Sequence, residues 1–198
     1  CYVHDGIAEG YNFYGISFSN VSNGSIIDNV LSSNWFGFNV GDSSSDAARN
    51  NSCSGNCWGI FLRRTDNSSF SNNTCTANIY EGIVLDGDCV SNTVSGNNCS
   101  GNNDDGIYVD RSCRNTITDN DCSDSDYGII MTASANDNTL IGNNCSYNSY
   151  YGLAMFSSTG NLLADNILLG NSVGVGLYSS DGNTVCDNTC SGNARGIY

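Results

Sequence analysis

Residues 106–131 read GIYVDRSCRNTITDNDCSDSDYGIIM. Apolar and polar side chains alternate at Ile107-Tyr108-Val109 and again at Thr116-Ile117-Thr118, and Gly128-Ile129 restarts the pattern. Alternation at period two marks strands with one buried face. The runs are three to five residues long, and Gly, Asn and Ser interrupt them too often for a helix to persist. The window is one full turn of a repeat that fills almost the whole chain.

Its clearest column is asparagine: Asn29, Asn51, Asn73, Asn97, Asn120, Asn143, Asn166 and Asn188, at spacings of 22 to 24. Two residues on stand Leu31, Cys53, Cys75, Cys99, Cys122, Cys145, Leu168 and Cys190. A glycine column from Gly15 to Gly196 follows in phase, always with an apolar residue behind it. A fixed period in this range signals a solenoid. With three short strands per period, the expected fold is all-β: a right-handed parallel β-helix of about eight coils of 22–24 residues. It forms one domain over residues 1–198, with an irregular lead-in at 1–11 and repeats from 12 to 198. Stacked Asn side chains are expected to form an amide ladder and to supply left-handed backbone at the bends. The glycines suit a bend that needs positive φ or close backbone approach.

Composition narrows the function classes. The chain has 198 residues, no Pro, six cationic side chains, all of them Arg, and a net charge of −14. Such a surface repels phosphates, which argues against nucleic acid as a partner. No apolar run approaches the length of a membrane span. Eleven cysteines and seven N-x-S/T sequons (Asn20, Asn23, Asn50, Asn67, Asn72, Asn98, Asn144) point to an exported, extracellular or cell-surface protein. The start lacks Met and reads as that of a processed or excised chain.

Three sets of residues could carry chemistry. The first is cysteine. Cys53, Cys75, Cys99, Cys122 and Cys145, with Cys190 further along, form one inward column and read as a buried thiol stack. A straight column does not converge tetrahedrally on a metal. Cys89 and Cys113 lie at bends of adjacent coils and are the best intrachain disulfide candidate. With an odd total, Cys1 is the natural intermolecular one. The second set is acidic: Asp104 and Asp105, with Asp124 and Asp126 one coil on, could hold Ca²⁺. The plainer reading is a solvated acidic face. The third is aromatic: Tyr11, Phe13, Tyr14, Trp35, Phe36 and Trp58 crowd the residues before the glycine in the first coils, and Tyr150 and Tyr151 repeat the position later; Tyr14, Trp35, Phe36 and Trp58 form the interaction patch for a glycan or a protein. The single His, His4, has no partner at a recognisable spacing, and Met131 and Met155 read as core.

The quoted window resembles the right-handed β-helix repeats of the NosD-like family, and the likeness extends over residues 12–198. That family includes a periplasmic factor linked to copper insertion, alginate epimerases, and archaeal surface proteins. Within the wider group, pectate-lyase-like β-helices pair an acidic metal cluster with a basic residue; Arg111 and Arg114 are near in sequence but expected on another side of the coil. The Cys column replaces the family's usual aliphatic residues, and no catalytic motif of the family maps onto this chain.

Two functions follow as expectations. The first is a structural protein of a cell-surface layer or sheath, self-assembling through open β-helix ends, intermolecular contacts or disulfides, and needing no cofactor. The alternative is a carbohydrate-binding or carbohydrate-processing β-helix, as lyase, epimerase or hydrolase, with glycans as partners. A copper-handling accessory role is a weaker third.

Overall fold

A computed structural model describes residues 13–198 in full, and of the preceding residues only the backbone of Tyr2–His4 and Ile7–Glu9. Among the described residues there is no helix. The chain is a parallel β-solenoid. Each turn contributes one long strand and one short strand, each paired in register with its equivalents one turn away. The six-residue strands Tyr14–Ser19, Phe36–Gly41, Trp58–Arg63, Asp105–Asp110, Tyr127–Thr132, Tyr151–Phe156 and Val173–Tyr178, with the four-residue Ile83–Asp86 and the final Arg195–Ile197, form a nine-stranded sheet. Three-residue strands such as Thr93–Ser95 and Thr116–Thr118 build a second nine-stranded sheet.

The third face departs from three equal strands. Only its ends keep ladders, Ile7–Glu9 with Val30–Ser32 and Ile167–Leu169 with Thr189–Ser191. Between them the coils touch through single bridges from Val30↔Ser52 to Asn144↔Ile167. The inward residue of that face is the cysteine of the repeat, flanked by the bends at both corners, so little chain is left to extend. The irregular lead-in is also corrected. Tyr2–His4 pairs with Ser25–Ile27, which carries the short sheet one strand further.

The core is the stack of inward columns. Ile60, Ile83, Ile107 and Ile129 are completely buried, as are Leu62, Leu85 and Val109, and Phe70, Val94 and Ile117 from the short sheet. Burying each such side chain stabilises the fold by about 1.5–3 kcal/mol.

Polar ladders hold the corners. Asn97 shows the pattern. Its backbone N–H and its Nδ2 both donate to Asn120 Oδ1 at 2.9 Å, and its Nδ2 also donates to the Phe70 carbonyl at 3.0 Å. The same arrangement runs from Asn29 through Asn51, Asn73, Asn120, Asn143 and Asn166 to Asn188. A second ladder includes Asn56, Asn78 and Asn102. A third, not foreseen from sequence, joins Asn92, Asn115, Asn138, Asn161 and Asn183.

One backbone expectation needs correction, and the two readings of the glycine column narrow to one. The left-handed residue is not the ladder Asn but the one before it: Asp28, Asn50, Asn72, Asp119, Asp165 and Asp187 have φ of 53° to 58°. The ladder Asn must present its own N–H to the next coil, and the preceding residue makes the bend. The glycine column has no positive φ; close approach explains it. A Cβ on Gly82 would lie 2.7 Å from the Gly106 carbonyl oxygen, and one on Gly106 2.6 Å from that of Gly128.

Candidate functional site on the outer face of the long sheet

The residue before each repeat glycine forms a column along the outer edge of the long sheet. Register pairs Tyr14 with Phe36 and Phe36 with Trp58, and further along Asp105 with Tyr127 and Tyr127 with Tyr151. Glu81 fills the place between Trp58 and Asp105, because Ile83 aligns with both Ile60 and Ile107. The column therefore runs aromatic, aromatic, aromatic, carboxyl, carboxyl, tyrosine, tyrosine.

The rings touch in sequence. Tyr14 stacks on Phe36 with centroids 5.4 Å apart, and Phe36 on Trp58 at 4.9 Å and 17°. Trp35 meets Trp58 at 5.7 Å, Phe13 lies parallel to Trp35 at 6.2 Å, and Tyr80 stacks on Trp58 at 4.6 Å. On the other side of the carboxyls, Tyr127 and Tyr151 stack at 5.5 Å and 5°. Trp35 is 46% exposed, Tyr14 40% and Phe13 58%, so the strip presents ring surface to solvent. Tyr14, Trp35, Phe36 and Trp58 are brought together as the sequence suggested. Phe13 and Tyr151, also singled out from sequence, belong to the strip, and Tyr80 and Tyr127 extend it. Tyr11 lies outside the described residues.

The carboxyls are unusual. Asp105 is 4% exposed and its Oδ1 has no hydrogen-bond partner. Burial first, then the charges of Asp104, Glu81 and Asp126, push its pKa up to about 8. Glu81 is also raised, mainly by burial, although the Trp58 side chain donates a hydrogen bond to it. Asp104 is raised by partial burial and by Asp126 beside it. Asp105 therefore keeps its proton at neutral pH in the middle of an acidic group. Tyr108, on the same outer face, lies 3.1 Å from Thr132 Oγ1, which is 2.8 Å from Asp110 Oδ1.

The acidic expectation is met in part. Asp104, Asp105 and Asp126 do cluster, but Asp124 stands apart, exposed at a bend with φ 57°. Glu81 takes its place. Among the described residues no group of three or more His, Cys, Asp or Glu side chains is placed to hold a metal ion. Arg111 stands beyond the far end of the Asp105–Asp110 strand, held by Asp86 at 3.0 Å and Asp110 at 2.7 Å and away from the Asp104–Asp105 group. Glu81 was missed because the column before the glycine carries no constant residue type; its signal was position alone.

The cysteines are structural. Cys53, Cys75, Cys99, Cys122 and Cys145 are fully buried in one stack of free thiols, and Cys190 is half-buried. Burial pushes Cys75 and Cys122 well above the ordinary thiol range. Cys89 and Cys113 are not bonded, which corrects the expected disulfide. Register explains it: Cys113 aligns with Val90, while the Cys89 N–H donates to Ser112 Oγ at 3.1 Å. Neighbours in sequence face opposite sides of a strand, so the two thiols point apart. Cys1 lies outside the described residues.

The fold is that of a parallel β-helix, in which a sheet of stacked strands displays a linear strip of side chains. The chain belongs to the NosD family, described as periplasmic copper-binding protein, whose profile matches residues 3–149 and 141–198. None of the curated proteins matches it. Among solved structures it is similar to the A-module of mannuronan C-5 epimerase AlgE4 from Azotobacter vinelandii, with a TM-score of 0.86 and 20% identity over 93% of this chain and 57% of that one. It is similar to a double mutant of the periplasmic alginate epimerase AlgG, with a TM-score of 0.72 and 19% identity over 89% and 49%. It also resembles DFA-IIIase from Arthrobacter chlorophenolicus A6 in complex with GF2, with a TM-score of 0.67 and 14% identity over 86% and 47%. The chain thus spans about half the length of these structures, and the likeness is one of fold. Copper, named in the family description, finds no fitting site among the described residues. No donor group converges among the described residues, and Met131 and Met155 are sealed in the core at 1% exposure.

Proposed function

We propose that this is an exported, carbohydrate-processing β-helix that binds a glycan along the outer face of its long sheet. The observation that carries the reading is the single column in which Glu81 and Asp105 stand between stacked aromatic rings on both sides. Exposed rings supply flat apolar surface to sugar faces. The acidic group supplies chemistry. Asp105 is the member that holds a proton at neutral pH, while the half-exposed Asp104 and Asp126 are the members that meet the ligand. Titratable neighbours with separated pKa values are the usual arrangement for acid–base work on a sugar, whether hydrolysis, elimination or epimerisation. Export agrees with the family description and with the periplasmic epimerase among the similar folds. The cell-surface sheath reading rests on open β-helix ends, spare cysteines, composition and the regularity of the repeat.

Both tryptophans of the chain, Trp35 and Trp58, lie in the strip, so intrinsic fluorescence reports on it directly. Screening against a glycan array followed by fluorescence titration tests the reading. Trp35→Ala should weaken binding at least tenfold, and Asp105→Asn should preserve binding while removing turnover. A protein that binds no glycan on the array sinks the proposal.

A further inference from the structure

The column of rings and carboxyls also bears on the charge of the ligand. At its N-terminal end the strip borders a hollow of about 520 Å³. It is lined by Phe13, Trp35, Ile79, Cys57 and Gly55 together with the polar Ser33, Asn34 and Asn56. No charged side chain lines it. A Cβ on Gly55 would meet no atom within 4 Å. The hollow arises because Cys57 follows Phe13 and Trp35 in the same column, and the backbone carries on from Cys57 to Tyr80. A small thiol thus stands where a ring would otherwise continue the stack.

The ionisable side chains that border the strip are all acidic: Glu81, Asp104 and Asp126, with the proton-holding Asp105 among them. The arginines of the long sheet are engaged elsewhere. Arg63 and Arg111 face Asp86, and Arg111 also binds Asp110. Arg195 shares the column but stands four positions beyond Asp105, with its guanidinium 4.7 Å from the centre of the Tyr198 ring. A uronate chain laid along the strip would bring its carboxylates against these acids with no counter-charge at hand. Desolvating a carboxylate without a partner is costly, and like charges at short range add to the cost.

We infer that the ligand of this face is an uncharged glycan, with one sugar ring seated in the Trp35 hollow and the chain running over Trp58 towards the carboxyls. The inference rests on the proposed glycan platform and specifies its ligand. It separates this chain from the similar folds whose names refer to alginate, a polyuronate. It also assigns the hollow a job distinct from that of the acidic group: it grips a ring by shape and apolar contact, while the carboxyls meet the chain further along.

The test uses the full chain, an array of neutral and uronate-containing oligosaccharides, and titration of the hits by tryptophan fluorescence in low and high salt. Cellohexaose, inulin-type oligosaccharides and hexamannuronate are the soluble probes. The expected result is binding of neutral glycans with affinity nearly independent of salt. Ile79→Asp should weaken it at least tenfold. Ile79 is 54% exposed, so the variant should fold, and a circular dichroism spectrum and melting point unchanged from the parent confirm that it does. Hexamannuronate binding more tightly than every neutral glycan, with or without added Ca²⁺, overturns the inference and leaves the platform standing. Neutral binding that Ile79→Asp leaves untouched overturns the role of the hollow. Binding of no glycan at all overturns the platform and the inference with it.

Discussion

Asp105 and Tyr127 are register partners in adjacent coils, so a buried carboxyl stands next in line to a stacked tyrosine pair. Tyr127 responds: burial and then the Asp105 charge raise its pKa. The pairing places the proton-holding group at the junction between the acids and the second run of rings.

Stability should therefore fall as the pH rises. The Asp105 carboxyl has a folded pKa of about 8, above its unfolded value of about 4. The unfolded chain releases its proton first, so this group favours the fold fully below about pH 4 and loses that contribution as pH climbs through about 8. Asp105→Asn should flatten this dependence and raise stability at pH 8 by about 1–3 kcal/mol, measured by urea unfolding across pH. A parent protein as stable at pH 8.5 as at pH 5, once compared with the variant, contradicts the buried proton.

A break in the middle of an Asn ladder should cost more than one at its end. Asn97→Ala leaves the Asn73 N–H and the Phe70 carbonyl without their partners in a dry corner. A loss of about 3 kcal/mol or more is expected. Asn188 is only half-buried, and Asn188→Ala should cost about 1 kcal/mol. Chemical denaturation of the two variants compares them directly.

The glycines should divide by space and not by frequency. Gly82→Ala drives its Cβ to 2.7 Å from a neighbouring backbone oxygen and should destabilise by about 3 kcal/mol or prevent folding. Gly55 has φ +69° and open space around its Cβ site, so Gly55→Asn should stay within about 1 kcal/mol of the parent. Melting temperatures of the pair settle the contrast.

Thiol reactivity should follow the columns. In the folded protein a thiol reagent should label Cys57, Cys113, Cys186 and Cys190, which are half-buried. Cys53, Cys75, Cys99, Cys122 and Cys145 should react only after unfolding, as should Cys89, whose pKa burial pushes up to about 11. Mass spectrometry of labelled peptides reads this out. A Cys89–Cys113 disulfide in native material would contradict the register described here.

The period in Asn29 to Asn188, and the alternation around it, were enough to determine a parallel solenoid, the inward columns and the coil boundaries, because each depends on local pattern repeated in phase. The first aromatic cluster was legible for the same reason. The third Asn ladder was equally periodic, two residues before each apolar residue of the short strands, and went unread because Gly24, Asp46 and Ser68 disguise its start. What only the tertiary structure decided depends on side-chain direction and depth. It set Cys113 beside Val90, removed Asp124 from the acidic group, and brought Glu81 in. It also buried Asp105 deeply enough to hold a proton at neutral pH. Sequence spacing fixes which residues share a column. The electrostatic character of a carboxyl comes from how much water is excluded around it and which charges remain near, and both are set by the neighbouring coils.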